Sequence, residues 1–94
     1  MKVKFEIHAI QAAYHLLSNT EPKGRTEVRL HSKLFRTLDK ECTTDGGINA
    51  KASEFEMEES LHTYLKDVLK KKTETGIPGA LARGYDDLME ITQI

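Results

Sequence analysis

Ninety-four residues with a net charge of -1, 38% hydrophobic and 31% charged, can bury one core but cannot also house a deep cofactor cleft without a partner chain. A pI near 6.4 argues against a generally basic polyanion binder, and the single Cys42 excludes an internal disulfide framework or a multi-cysteine zinc site. The composition predicts one soluble, helix-rich domain over 1–94 with a lean core, which a homo-oligomer would supplement.

The chain opens on Met1-Lys2-Val3-Lys4 rather than an apolar signal core. No apolar run approaches the roughly 20 residues of a membrane span, so a cytoplasmic location with no membrane contact is expected. Val3, Phe5 and Ile7 alternate with Lys2, Lys4 and Glu6, the period of a short half-buried strand. From His8 the period changes: Ile10, Ala13, Tyr14 and Leu17 predict a helix to about Ser18. A loop through Pro22 and Gly24 follows.

Thr26 is the expected N-cap of a second helix running to about Cys42, with Glu27 suiting the dipole in its first turn. Leu30, Leu34, Phe35, Leu38 and Cys42 form its apolar side. Thr43-Thr44-Asp45-Gly46-Gly47 is a turn cluster. The stretch 48–57 fits two readings. Phe55 and Met57 alternate with Glu54, Glu56 and Glu58, as in a second strand whose glutamates face Lys2 and Lys4. Alternatively, Ser53 caps a helix and Glu56 completes a capping box. The capping reading is preferred for Ser53, with a short strand over Ile48 to Ala52 as its alternative.

Met57, Leu61, Tyr64, Leu65, Val68 and Leu69 predict the next helix, ending in Lys70, Lys71 and Lys72 before Thr75-Gly76. Pro78 suits the first turn of a last helix carrying Leu81, Tyr85, Leu88 and Met89. Gly79 and Gly84, if interior, each weaken that helix by up to about 1 kcal/mol relative to Ala. The expected fold class is α+β, three or four amphipathic helices on a minimal β element, with Leu34, Leu38, Leu61, Leu65 and Leu88 at the centres of the apolar stripes.

One feature points to function. Arg25, Arg29, Lys33, Arg36 and Lys40 recur at helical spacing and fall within about 80° of the second helix, opposite its apolar side. Such a face is either an ordinary solvated helix surface or a docking surface for an anionic partner; in the docking reading Arg29, Lys33 and Arg36 at its middle are expected to carry binding without a role in folding. The partner is either an acidic patch on a protein or nucleic-acid phosphates. Few aromatics and the neighbouring Glu54, Glu56, Glu58 and Glu59 favour the protein. No enzyme motif is present: His8, His15, His31 and His62 lack metal-ligand spacing, and Gly76-Ile77-Pro78-Gly79 lacks the Gly-Lys-Ser/Thr end of a phosphate loop. No catalytic residue, cofactor or metal is expected.

The order of a short strand, a compact helix and Lys23-Gly24-Arg25-Thr26-Glu27-Val28-Arg29 leading into a basic helix resembles an uncharacterised family of small accessory proteins from phages of Gram-positive bacteria. The likeness covers the first half of the chain, with an echo in Ala82-Arg83-Gly84-Tyr85-Asp86-Asp87-Leu88. It implies an early or accessory phage product that acts in the host cytoplasm by binding host machinery. Small phage proteins of this kind include inhibitors of host RNA polymerase and of CRISPR nucleases, and the family brings no catalytic residues.

Overall fold

The computed structural model describes residues 1–94. The elements are β1 (Lys2–Phe5), α1 (Ile7–Ser18), α2 (Gly24–Cys42), a minimal hairpin of β2 (Thr43–Thr44) and β3 (Gly47–Ile48), β4 (Ser53–Glu56), α3 (Glu59–Thr75), a 3-10 turn (Gly79–Leu81) and α4 (Ala82–Thr92). Four helices thus pack on a two-stranded antiparallel sheet of β1 and β4, an α+β fold with a minimal β element.

The alternation in β1 sends Val3 and Phe5 inward and leaves Lys2 and Lys4 exposed, and β4 mirrors it with Ser53 and Phe55 buried and Glu54 and Glu56 outside. The register sets Lys2 opposite Glu56 and Lys4 opposite Glu54, and the Phe5 and Phe55 rings stack 5.7 Å apart. This pairing overturns the capping reading of Ser53. That residue is a strand position opposite Phe5, and α3 starts only at Glu59 with Glu58 as its N-cap. Pairing wins because it buries Phe5, Phe55 and Val3 on one face while matching opposite charges across the other. The alternative strand over Ile48 to Ala52 is also corrected: only Gly47–Ile48 is extended, and it closes on Thr43–Thr44 rather than on β1.

Helix α2 begins at Gly24, earlier than an N-cap at Thr26 would place it. Gly24 turns the chain at φ +80°, a left-handed conformation that glycine adopts without steric cost. Glu27 Oε1 accepts the Lys23 N–H at 3.1 Å.

Helix α1 lies at the centre. Its Ala9, Ile10, Ala12, Ala13, Leu16 and Leu17 are all buried, and the small residues let neighbouring backbones come close. Gly84 shows how close: a Cβ built on it would lie 2.1 Å from the His8 carbonyl oxygen and 2.8 Å from Ala12 Cβ. The glycine expected only to weaken α4 is therefore what permits α4 to cross α1 at this distance, and Gly79 lies outside α4 in the preceding turn. Leu34, Leu38, Leu61, Leu65 and Leu88 are at most 1% exposed, as their positions in the stripes predict.

Four of the helix seams also carry a polar link. Tyr14 donates to Asp39 at 2.6 Å between α1 and α2, and Tyr64 meets His31 Nδ1 at 2.8 Å between α2 and α3. His62 Nε2 donates to the Ile91 carbonyl at 3.1 Å between α3 and α4, and Tyr85 meets His15 Nδ1 at 2.7 Å between α4 and α1. The four links close a ring, so the helices are registered by directional bonds as well as by apolar packing.

Candidate functional site

Because Leu34, Leu38 and Cys42 are drawn into the core, the opposite face of α2 is turned outward. Arg25, Arg29, Lys33, Arg36 and Lys40 are all exposed along it. They occupy about 22 Å of the helix axis at 1.5 Å per residue. An open concavity on this face is lined by Val28, Arg29, Ser32, Lys33 and Arg36. Val28, 49% exposed, borders the cationic row on the side of Phe35, seven residues on, and adds an apolar margin to it. Sequence reasoning missed Val28. Its signal is an apolar residue at the margin of the buried stripe, seven residues before Phe35.

The chain has two ion pairs, and one lies on this face: Lys33 Nζ to Glu58 Oε2 at 2.7 Å. The other joins the Met1 ammonium to Glu56 Oε2 at 3.1 Å. Lys33 is therefore not a free cation, which corrects the expectation that the middle of the stripe has no part in the fold. An exposed pair of this kind is worth about 0.2 to 1 kcal/mol. Arg25, Arg29, Arg36 and Lys40 have no carboxylate partner within 4.0 Å. The acidic block lies next to the stripe, with Glu54, Glu56, Glu58 and Glu59 all exposed. The surface thus passes from positive to negative across the seam between α2 and the start of α3.

The other chemistry-bearing groups are held inside the fold. Burial, reinforced by the bond to Asp39 and its charge, raises the Tyr14 phenol above its usual range. Burial pushes Tyr85 up to about 12 and raises Tyr64, to which the charge of Glu27 adds. The Tyr64 and Tyr85 phenols each share a hydrogen bond with Nδ1 of their histidine. Burial also pushes the Cys42 thiol up to about 11, against the opposing bond from Ser53. It is a thiol rather than a thiolate at neutral pH, hence a poor nucleophile. No three His, Cys, Asp or Glu side chains converge in a metal-binding arrangement. No helix is long and apolar enough to cross a membrane. No family model, curated protein or solved structure matches this chain.

Proposed function

We propose that this chain is a non-enzymatic accessory protein of phage type that docks on an acidic surface of a host protein in the host cytoplasm, and inhibits that protein by occupying it. The observation that carries this reading is the row of arginines on the outer face of α2. Arg25, Arg29 and Arg36 are exposed and unpaired, with the half-exposed Val28 at the edge of their row. Fixed charge on a helix steers association and selects orientation, and the apolar margin at Val28 supplies contact area that charge alone does not. His15, His31, His62 and the three tyrosines are engaged in the links between helices.

A second reading, a nucleic-acid-binding regulator, draws on Lys23, Lys71 and Lys72 around a concavity beside the Arg25 end of the stripe. Glu21 and Glu27 line the same concavity and oppose a phosphate there.

The test is a triple variant, Arg25→Glu, Arg29→Glu and Arg36→Glu, which spares Lys33 and its pair with Glu58. Melting temperature should stay close to wild type, since such surface changes usually alter stability by no more than about 0.5 kcal/mol each. Capture of the host partner from lysate should be lost. Undiminished capture by the folded variant would refute the reading. Duplex DNA binding that falls steeply and linearly with the logarithm of salt would favour the second one.

A further inference from the structure

The unpaired cations of α2, Arg25, Arg29, Arg36 and Lys40, stand at intervals of four, seven and four residues. Along the axis these are about 6, 10.5 and 6 Å at 1.5 Å per residue, within about 60° of the helix circumference. Of the flanking carboxylates, Glu58 is held by Lys33 and Asp39 by the Tyr14 hydroxyl. Between the two pairs of cations the surface dips. Arg29, Ser32, Lys33 and Arg36 line the concavity there, with Val28 beside them. The first four stand at i, i+3, i+4 and i+7, the corners of the hole in which one helix receives a knob from another. Ser32 is the short corner that leaves it open, and it is exposed. Because Lys33 is engaged by Glu58, the middle of the row offers a knob the apolar stems of the long side chains and the methyls of Val28.

We infer that the part of the partner protein that docks on α2 is a helix laid along this row, with carboxylates at positions j, j+4, j+11 and j+15 and an apolar side chain near j+7 seated in the hole at Ser32. This rests on the reading that the α2 face docks an acidic protein, and it deepens that reading by naming the form the partner takes. Those intervals hold the four carboxylates in one stripe about 60° wide on the second helix, level with the four cations of the first. They read the same from either end, so the match holds for both directions of the partner. An extended strand fits less well. Its same-face residues recur about every 6.7 Å, and once Arg25 and Arg29 are matched the nearest of them falls about 3 Å from the level of Arg36. A second copy does not supply the complement, since no helix of this chain has carboxylates at intervals of four, seven and four.

The probe is a capped, alanine-rich peptide of 18 residues with glutamates at its positions 2, 6, 13 and 17 and leucines at 9 and 10, its helix fixed by a hydrocarbon staple on the far face. The control is a stapled isomer of the same composition with the glutamates spread around the helix. Each is titrated at low salt against the isotopically labelled full chain. The patterned peptide should bind about tenfold more tightly than the isomer and shift the Ser32 amide saturably. Ser32→Leu fills the hole from an exposed position and leaves every charge in place. It should keep the melting temperature and weaken the patterned peptide by about tenfold, with the isomer unaffected. Equal affinity of the two peptides, or full affinity of the patterned one for a folded Ser32→Leu chain, would overturn the inference. If that variant does not fold, the comparison of the two peptides decides alone. Concentration-dependent shifts of the same amides without peptide would assign the face to a second copy and also overturn it. Equal binding of both peptides that is lost in the arginine triple variant would leave the charged face as a docking surface and remove the helix. The same holds if neither peptide binds while the triple variant loses partner capture, whereas capture by the folded triple variant would overturn both readings.

Discussion

Replacing Gly84 with Ala sets two effects of opposite sign against each other. In an isolated helix the change should stabilise α4 by about 1 kcal/mol, because alanine loses less backbone entropy on folding. Here the new methyl would lie 2.1 Å from a main-chain oxygen, where ordinary contact begins at 3.4 Å. The obstacle is the His8 carbonyl, within the first turn of α1, and it cannot rotate away as a side-chain tip would. The two helices must separate by about 1 Å, loosening the contacts of Ala9, Ala12, Tyr85 and Leu88 and stretching the bond between His15 and Tyr85. Overpacking of this kind costs about 1 to 3 kcal/mol or more, and a backbone obstacle belongs at the upper end. The net loss should be near 2 kcal/mol, or about 8 to 16 °C in melting temperature for a chain of this size. Gly79→Ala is the control, since a Cβ there meets nothing within 4 Å and the residue has no positive φ. Thermal melts followed by circular dichroism compare the two. A Gly84→Ala variant that melts at or above the wild-type temperature would refute the close crossing of α1 and α4.

Leu38→Ala should cost about 2 to 5 kcal/mol in chemical denaturation, because the side chain is fully buried in α2; a smaller loss would place the apolar phase of α2 elsewhere. Tyr85 has its folded value pushed up to about 12 from a usual 10, and Tyr64 and Tyr14 are raised as well. A folded value above the unfolded one favours the protonated phenol in the fold, so this contribution is intact below pH 10 and is lost as pH rises towards about 12. Ultraviolet titration should show the phenols ionising late and together with loss of helix; ionisation near pH 10 in a fully folded chain would contradict the seam bonds. Cys42 should react with a thiol reagent at pH 8 far more slowly in the native chain than in denaturant, and equal rates would mean that it is not buried. Chelators should leave the melting curve unchanged, and stoichiometric metal lost together with structure would overturn the metal-free reading.

Periodicity over many turns made the helices legible. In α2 and α3 the apolar positions repeat often enough that only one phase buries them all, and the charge on the other side of α2 then follows without knowledge of the tertiary structure. The segment at Ser53 is too short for that. Its residues satisfy a capping box and an alternating strand equally well, and the decision is made by β1 at the far end of the chain, whose lysines and phenylalanine are the partners that give the alternation its value. The same holds for Gly84, whose local sequence records only a propensity penalty, and for His15 and His31, whose partners Tyr85 and Tyr64 are 70 and 33 residues away.

At the candidate site the direction of Arg25, Arg29 and Arg36 was legible for the reason that the helices were, whereas the engagement of Lys33 by Glu58 depends on where α3 begins. That dependence has a consequence for the charged face itself. Had α3 started at Ser53, Glu58 would lie inside a helix. The extended β4 instead carries Glu58 to the N-cap of α3 beside Lys33, neutralising the middle of the stripe and leaving free arginines on either side of it. A partner complementary to this face therefore needs negative charge towards Arg25 and Arg29 and again towards Arg36 and Lys40, with less over Lys33, a spacing that a uniformly charged polyanion does not supply.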